Sequence, residues 1–301
     1  MKVAVLMSTY NGEKYIAEQI DSILNQKGDF TLDLIVRDDG SKDGTLDVLE
    51  NYQNKGLLKW YTGENLGPTM SFLHLINQLA GYDYYAFSDQ DDLWFPDKIQ
   101  RAVSRLGKIN KPALYFSNAV LVDNSLQGLG RNVYSQEPRT DLETIACAGG
   151  VLGCTIVFNN SLANYLQSYP LPKWAVMHDF YLALLCKSLG GEIIYDQDST
   201  MKYRQHDSNV VGVSYGKLGT IIGRVKDITY KEPVGIAKQA AEIIRIYGNV
   251  LPKHSIDWLK IIQNYNSSFI NQTKLAFSKR TKYINRNMGL KMRLSIILGH
   301  R

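Results

Sequence analysis

The first hundred residues alternate short apolar, β-rich runs with amphipathic stretches, and this alternation constrains the fold more than any other feature. The apolar runs and the stretches of helical period take turns along the chain, at 3–7, 15–26, 32–36, 45–52, 58–62, 69–79 and 84–88. Strand and helix patterns in βαβα order predict a mostly parallel sheet with helices packed on it. We therefore expect an α/β fold.

The first helical stretch shows how a helix packs on this sheet. Ile16, Ile20, Ile23 and Leu24 fall at helical spacing on one face, and Asn11 stands where an N-cap is expected. Further sheet and helix segments are predicted at 113–122, 150–158, 179–189 and 192–195. From Ile221 onward the sequence is helical in period.

Three polar clusters each follow a predicted strand, at 8–11, 38–41 and 89–92. In open α/β sheets, ligands bind in the crevice outside the carboxyl ends of the strands. Three polar turns at one sheet edge are more informative than any one of them. We expect the functional site at this edge.

The run SDQDDLWFPDK, residues 88–98, places the carboxylates of Asp89, Asp91 and Asp92 on one turn. Like charges crowded in this way are unfavourable without a counter-cation. Mg²⁺ and Mn²⁺ take oxygen ligands and share carboxylates with substrate phosphates. The alternative is a solvated acidic turn that caps a helix beginning near Pro96, but the apolar strand before it and Trp94 after it favour a functional cluster.

Three further clusters allow both a functional and a structural interpretation. Asp38 and Asp39 could accept hydrogen bonds from a base or ribose, or could simply stabilise a β-turn. Asp179, beside His178 at the start of an apolar helix, could act as a general base or as a helix cap, and local pattern favours the cap. The last cluster gathers three residues that could meet a diphosphate or a metal: Arg204, His206 and Asn209.

Charge is distributed unevenly along the 301 residues. The net charge is +5, yet residues 215–301 hold 16 Lys and Arg against 4 Asp and Glu, which leaves −7 for residues 1–214. An acidic part can hold a cation, whereas a basic part suits a polyanionic surface. We expect a catalytic domain over 1–212 and a helical, basic C-terminal region over 213–301, with the boundary near 212–219.

Cysteine usage and hydropathy indicate an intracellular protein. The three cysteines Cys147, Cys154 and Cys186 lack CxxC spacing and lie in apolar surroundings, which predicts reduced, buried thiols. No run of about 18 apolar residues is present, and the apolar run at 3–7 is too short for a signal peptide. We expect a cytoplasmic location.

Five motifs occur in a set order: STYNGEKYIAEQIDSIL, VRDDGSKDGT, ENLG, FSDQDDLWFPDK and HDFYLALL. In this order residues 1–212 resemble the inverting, GT-A fold glycosyltransferases of family 2. The resemblance implies a nucleotide site formed by Thr9, Tyr10, Asn11, Asp38, Asp39 and Asp89. It also implies a Mn²⁺ or Mg²⁺ ion held by Asp89, Asp91 and His206, and it makes Asp179 the catalytic base.

The same resemblance implies contacts with the donor or acceptor sugar from Trp94, Gly149, Gly150, His178 and Arg204. Four runs of the sequence are similar to those of bacterial rhamnosyltransferases of cell-wall or capsular polysaccharide synthesis: SDQDDLW, GGVLGC, MHDFYLALL and YRQHDSNVVG. This similarity implies dTDP-rhamnose as donor and a lipid-linked saccharide as acceptor, with a UDP-hexose donor as the alternative. The QxxRW motif and membrane spans of processive members are missing, so addition of one or a few sugars is expected.

Residues 279–301 mix Lys and Arg with apolar residues, as a helix lying on an anionic membrane does. We expect peripheral attachment to the inner face of the cell membrane, with self-association into a homo-oligomer as the alternative. Nucleic acid is not an expected partner, because no nucleic-acid motif is present. Two other classes remain as rivals: a nucleotidyltransferase, which needs a Gly-rich phosphate loop that STYNGEKY does not offer, and a non-catalytic sugar-binding module.

Overall fold

The computed structural model describes residues 1–206, 235–281 and 286–299. The proposed boundary at 212–219, Asn209, the start of the helical period at Ile221, and the tail residues 282–285 and 300–301 lie outside the described residues. In chain order the described elements are β1 (Lys2–Thr9), α1 (Ile16–Leu24), β2 (Thr31–Asp38), α2 (Thr45–Asn54), β3 (Lys59–Thr62), α3 (Gly67–Asn77), β4 (Tyr84–Ser88), β5 (Leu93–Trp94), α4 (Lys98–Leu106), β6 (Ala113–Val122), β7 (Gly128–Asn132), α5 (Leu142–Ala148), β8 (Val157–Asn159), α6 (Asn160–Ser168), α7 (His178–Ser188), β9 (Glu192–Arg204), α8 (Gly235–Tyr247), α9 (Lys253–Gln263), α10 (Phe269–Ala276) and α11 (Arg286–Ile297).

The strands form one sheet in the order β3-β2-β1-β4-β8-β6-β9-β5, with β7 paired to β6. The strands β3, β2, β1 and β4 pair in parallel, as the βαβα pattern predicts. Beyond β4 the pairing is mixed, because β8 runs antiparallel to both β4 and β6 whereas β9 is parallel to β6. The predicted α/β fold is therefore confirmed, and its second half departs from parallel pairing.

The sheet carries a hydrophobic core on each face. Along β1, Ala4 and Leu6 belong to one core while Val3, Val5 and Met7 belong to the other, as alternating strand residues must. All five are fully buried. A strand covered on both sides reads as a continuous apolar run, which is why β1 could be recognised from sequence.

Helix α1 packs on the sheet through Ile16, Ile20 and Ile23, which are buried as predicted. The N-cap expected at Asn11 is wrong, because the helix begins at Ile16 and Tyr15 occupies the cap position. Asn11 instead adopts a positive φ of 48°. Its side-chain oxygen accepts a hydrogen bond from the backbone N–H of Lys42 at 2.8 Å. This side chain therefore joins two loops rather than starting a helix.

The C-terminal helices share a core with the sheet. Ile236, Ile243 and Trp258 belong to the same buried cluster as Phe87 and Phe158 of the sheet. The side chain of Gln239 on α8 accepts the backbone N–H of Val176 at 2.8 Å. The predicted helical extension is thus packed against the α/β part.

The cysteines match the expectation of buried thiols, since Cys147, Cys154 and Cys186 are free and buried. Within the described ranges, no helix has the length and apolar character that a membrane crossing requires.

Candidate active site

The loops that follow β1, β2 and β4 meet at the carboxyl edge of the sheet. The hydroxyl of Thr9 donates to the side-chain oxygen of Gln90 at 2.5 Å, joining the first loop to the third. The backbone N–H of Asn11 donates to the hydroxyl of Ser41 at 2.9 Å, joining the first loop to the second. The three polar clusters predicted from sequence therefore lie together.

The end of β9 approaches the acidic turn from the other side. Nε2 of His206 lies 2.8 Å from Oδ2 of Asp91. The backbone N–H of Arg204 donates to Oδ1 of the fully buried Asp92 at 3.2 Å. Asp91 and Asp89 keep part of their surface exposed. The turn thus carries two accessible carboxylates, those of Asp89 and Asp91, and the buried carboxylate of Asp92, which stabilises the turn.

Crowded negative charge marks this turn. Burial, followed by the charges of Asp91 and Asp179, raises the pKa of Asp89 to about 7. Burial is also the main reason that the pKa of Asp92 lies well above its usual range. Crowded carboxyl groups of this kind fit a site that a cation completes.

The side chains of the turn fit a hard divalent cation better than a soft one. Ligand atoms of Asp89, Asp92 and Cys154 lie within 4.8 Å of one another. Burial raises the pKa of the Cys154 thiol far above its usual range, so this thiol stays protonated and is a poor ligand. Oδ2 of Asp92 is buried and has no hydrogen-bond partner among the described residues. Carboxylate oxygens with the imidazole of His206 suit Mg²⁺ or Mn²⁺.

Asp179 lies in the first turn of α7 and faces the same region. Met177 is the N-cap residue, so the cap favoured for Asp179 on local pattern is wrong. Oδ1 of Asp179 accepts the backbone N–H of Phe180 at 2.6 Å. Burial raises the pKa of Asp179 to about 6, against the opposing effect of backbone hydrogen bonds. This carboxylate can therefore take up a proton near neutral pH.

Gly153 fixes the position of Asp179. A Cβ atom at Gly153 would lie 2.8 Å from Nε2 of His178 and 3.2 Å from Oδ2 of Asp179. Only a residue without a side chain allows this approach. The sequence analysis quotes Gly153 only within the run GGVLGC, residues 149–154, and assigns it no role of its own.

The carboxylates of Asp38 and Asp39 are buried and already hydrogen-bonded. Asp38 accepts the backbone N–H groups of Gly40 and Ser41 and the hydroxyl of Thr62. Asp39 forms an ion pair with Arg37. It also accepts the backbone N–H groups at the start of α3, from Leu66 at 2.9 Å and Gly67 at 2.8 Å. Their contacts with a nucleotide stay a prediction. Tyr10, which is exposed, lies beside them.

Trp94 and His178, both predicted to contact a sugar, lie in the core. Trp94 is 2% exposed, and Nζ of Lys98 lies 4.6 Å from its ring centroid. His178 is 4% exposed and packs on Phe72, with ring centroids 4.1 Å apart. Burial lowers the pKa of His178 to about 3, which keeps it neutral. The predicted sugar contact finds no accessible surface on these two side chains.

Arg204 is also buried, at 2% exposure. Its guanidinium lies 4.5 Å from the ring centroid of Tyr15 and donates to Glu18 at 2.6 Å. Its Nε donates to the backbone oxygen of Asp91 at 2.8 Å. Arg204 therefore anchors the acidic turn to α1, a contact that the sequence did not suggest.

The Gly149-Gly150 turn ends α5 beside Asp179. Both glycines have positive φ, 65° and 112°. The hydroxyl of Tyr134 donates to the backbone oxygen of Gly150 at 3.0 Å. Burial first, and then the charge of Asp179, raises the pKa of Tyr134 far above its usual range. Tyr134 is a neighbour of the site that the sequence analysis missed.

Comparison with solved structures defines the class of the fold. Over 100% of this chain and 82% of the other, the fold is similar to Staphylococcus aureus TarS solved with UDP-GlcNAc, at a TM-score of 0.56 and 20% identity. It is likewise similar to the mannosyltransferase PcManGT from Pyrobaculum calidifontis solved with GDP-Man and Mn²⁺. That match has a TM-score of 0.56 and 17% identity, and it covers 98% of this chain and 73% of the other. The fold is that of the GT-A glycosyltransferases.

Sequence comparison defines the family. The model of glycosyl transferase family 2 matches residues 4–162. The dTDP-rhamnosyl transferase RfbG of Shigella flexneri is 31% identical over 245 residues, which cover 76% of this chain and 82% of the relative. An uncharacterized glycosyltransferase of Rickettsia typhi is 26% identical, over 72% of this chain and 68% of the relative. This chain belongs to glycosyl transferase family 2.

Proposed function

We propose that the protein transfers L-rhamnose from dTDP-rhamnose, with inversion, to a hydroxyl of a lipid-linked glycan in bacterial cell-surface polysaccharide synthesis. The observation that carries the donor assignment is the 31% identity to a dTDP-rhamnosyl transferase over 82% of that relative. The grouping of Asp89, Asp91 and Asp179 at one sheet edge supports a transfer reaction there rather than binding alone.

Asp179 acts as the general base in this proposal. It takes the proton of the acceptor hydroxyl, whose oxygen forms a bond to the anomeric carbon of the donor. The bond from that carbon to the phosphate oxygen breaks, and the nucleoside diphosphate leaves with the electron pair. Attack opposite the leaving group inverts the configuration at the anomeric carbon. A carboxyl whose pKa is raised to about 6 is matched to this task near neutral pH.

Asp89, Asp91 and His206 would hold a Mn²⁺ or Mg²⁺ ion. Such an ion, when bound, supplies Lewis-acid stabilisation of the negative charge on the leaving diphosphate. The distance of 2.8 Å between His206 and Asp91 supports a shared role for these two side chains. Asp92, which is fully buried, stabilises the turn.

The nucleotide would lie over the loops that follow β1 and β2. Thr9, Tyr10 and Asn11 line one side of this region and Asp38 and Asp39 the other, with Asp89 toward the ribose. The exposed ring of Tyr10 offers a stacking surface for the base.

The donor sugar and the acceptor would lie between the metal ligands and Asp179. Gly149 and Gly150 border this space, since Gly149 packs beside Phe180, the neighbour of Asp179. Three further residues are buried and would affect sugar binding indirectly, by fixing the loops around the sugars: Trp94, His178 and Arg204.

The enzyme would work at the inner face of the cell membrane, where a lipid-linked acceptor is accessible. The basic residues of 279–301 support peripheral attachment to anionic lipid. Residues 1–212 form the catalytic domain in this proposal, and residues 213–301 form the region that attaches to the membrane or joins two copies.

A donor screen tests the proposal. Release of free nucleoside diphosphate is measured with dTDP-L-rhamnose and with a panel of UDP-hexoses, with Mg²⁺, with Mn²⁺ and with chelator. We expect turnover with dTDP-L-rhamnose that depends on the divalent cation and increases with acceptor. Preference for a UDP-hexose would contradict the rhamnose assignment, and no release with any donor would indicate a non-catalytic module.

A further inference from the structure

The C-terminal helices contain a cavity of about 460 Å³ lined by residues of α9, of α10 and of the segment after it. Its wall is largely apolar, with Trp258, Ile261 and Leu275 among the lining residues. Its rim carries three cations and no carboxylate: Lys260, Lys274 and Arg280. An apolar pocket with a positively charged rim fits a ligand that has an anionic head and an apolar chain.

Trp258 is the largest of the residues that line this cavity. Trp258 is 1% exposed, and its Nε1 has no hydrogen-bond partner among the described residues. The guanidinium of Arg280 lies 4.3 Å from the centroid of the Trp258 ring and pairs with Glu143 at 2.7 Å. A buried indole N–H ordinarily finds a partner. Lys260 and Lys274 form none of the ion pairs described and are exposed, so their charges are available to a ligand.

Large apolar side chains are exposed on α10, which lines this cavity, and on α11. Phe269, Ile270 and Phe277, at the two ends of α10, expose 66%, 63% and 62% of their surface. Leu290, Leu294 and Leu298 are exposed at four-residue spacing, on one face of α11 and its end. Isolated exposed apolar residues are ordinary in soluble proteins, but six of them on neighbouring elements beside lysines indicate an interaction surface.

We infer that α9 and α10, with the cavity between them, dock the enzyme on an anionic phospholipid surface. Phe269 and Ile270 enter the acyl boundary, while Lys260 and Lys274 contact lipid phosphates at the cavity rim. Charge complementarity between the exposed Lys260 and Lys274 and anionic head groups selects this partner. The inference rests on the proposed membrane location and extends the contact from the tail 279–301 to α9 and α10.

Point substitutions test this surface better than a deletion. Removing residues 279–301 would also remove Met292 and Ile296, which are buried in the core. Lys260→Gln/Lys274→Gln removes two rim charges, and Phe269→Ser/Ile270→Ser removes two exposed apolar side chains. Lys55→Gln/Lys108→Gln is the matched control, because it removes the same charge from exposed positions on the α/β part.

Partitioning is measured by co-sedimentation with vesicles of phosphatidylcholine alone and of phosphatidylcholine with an equal part of phosphatidylglycerol. We expect binding only to the anionic vesicles, reduced about five-fold for each rim lysine removed. We expect at least a ten-fold reduction for the Phe269→Ser/Ile270→Ser variant, on the order expected from lost apolar burial. The Lys55→Gln/Lys108→Gln control should partition like the wild type.

Equal losses for the rim pair and the control pair would overturn the inference, because net charge alone would then explain binding. It would also be overturned if the wild type were a dimer that Phe269→Ser/Ile270→Ser converts to a monomer while vesicle binding is unchanged. Donor hydrolysis is measured on the same preparations. A preparation that hydrolyses donor but does not bind vesicles contradicts the docking surface and the proposed membrane location but not the transfer reaction, whereas one that binds without hydrolysis contradicts only the proposed transfer.

Discussion

Burial sets the chemistry of Asp179. The carboxyl lies in the first turn of α7 against the backbone of Gly153, and burial raises its pKa to about 6. A carboxylate with an ordinary pKa near 4 is a weaker base, because its pKa is about two units lower. Burial therefore makes Asp179 a stronger base, while the backbone hydrogen bond from Gly153 opposes this shift.

The raised pKa of Asp179 predicts how activity depends on pH. A general base acts only when it is deprotonated, so kcat/KM should fall about ten-fold per unit as pH drops below about 6. The measurement is kcat/KM for the acceptor from pH 8 downward, with circular dichroism at each pH to confirm that the protein stays folded. Activity that stays constant down to about pH 4, where an ordinary carboxyl titrates, would contradict this assignment.

Gly153→Ala should displace the base without affecting the donor. The new Cβ would lie 2.8 Å from Nε2 of His178 and 3.2 Å from Oδ2 of Asp179, so Asp179 must shift. A displacement of this kind costs up to about 10²-fold in rate. We expect kcat to fall while the KM for donor is unchanged. Gly128→Ala is the matched control, because its Cβ would meet no atom within 4 Å. Equal kcat in both variants would refute the packing argument.

The carboxylates of the site could be predicted at the residue scale, but their surroundings could not. Asp89, Asp91 and Asp179 stand in motifs whose order along the chain carries the family resemblance. Trp94 and His178 stand in the same motifs and Arg204 in a later one, yet the side chains of all three are buried. Which side of a loop faces the ligand depends on tertiary packing, to which residues distant in sequence contribute. The contact of Arg204 with Glu18 spans 186 positions.

At the scale of elements, long periodic segments were predictable and short ones were not. The bounds of β4 and β6 agree with their apolar runs. The segment 150–158, expected as a strand, holds a 3₁₀ turn at Gly153–Thr155 and only the short β8. Strand β9 extends to Arg204, well past the predicted end at 195. The sequence prediction ended early because polar residues interrupt the apolar pattern of this strand. This extension carries Arg204 and His206 to the acidic turn.

The buried ion pair between Arg37 and Asp39 joins the end of β2 to the start of α3. Both residues are less than 5% exposed. Arg37→Met leaves a buried carboxylate without its cation, and we expect the free energy of unfolding to fall by about 3–5 kcal/mol. Urea denaturation measures the change. Arg37→Met/Asp39→Asn should recover part of the loss, since it removes the unpaired charge. An Arg37→Met variant as stable as the wild type would contradict the stabilising role of this ion pair.

At the scale of the whole molecule, the C-terminal helices share the hydrophobic core on one face of the sheet. Ile236, Ile243 and Trp258 pack in the same cluster as the sheet residues Phe87 and Phe158. The charge asymmetry along the chain separates an acidic site from a basic surface, but the packing does not divide at the same point. Composition alone could not show this shared core.

The shared core predicts cooperative unfolding. We expect one transition in scanning calorimetry of the full chain, because neither part buries its apolar surface alone. A fragment of residues 1–206 should lack stable tertiary structure, since it exposes the surface that covers Ile236 and Trp258. Two separated transitions, or a fragment with sharp near-ultraviolet circular dichroism, would show that the catalytic part folds independently.

The central claim is that Asp179 removes the acceptor proton beside a cation held by Asp89 and Asp91. The most direct test is nucleoside diphosphate release by Asp179→Asn, with donor affinity measured by calorimetry in the presence of Mn²⁺. We predict that donor affinity is retained while turnover with acceptor falls by about 10²- to 10⁴-fold, the usual contribution of a positioned base. An Asp179→Asn variant that turns over at the wild-type rate would contradict the account.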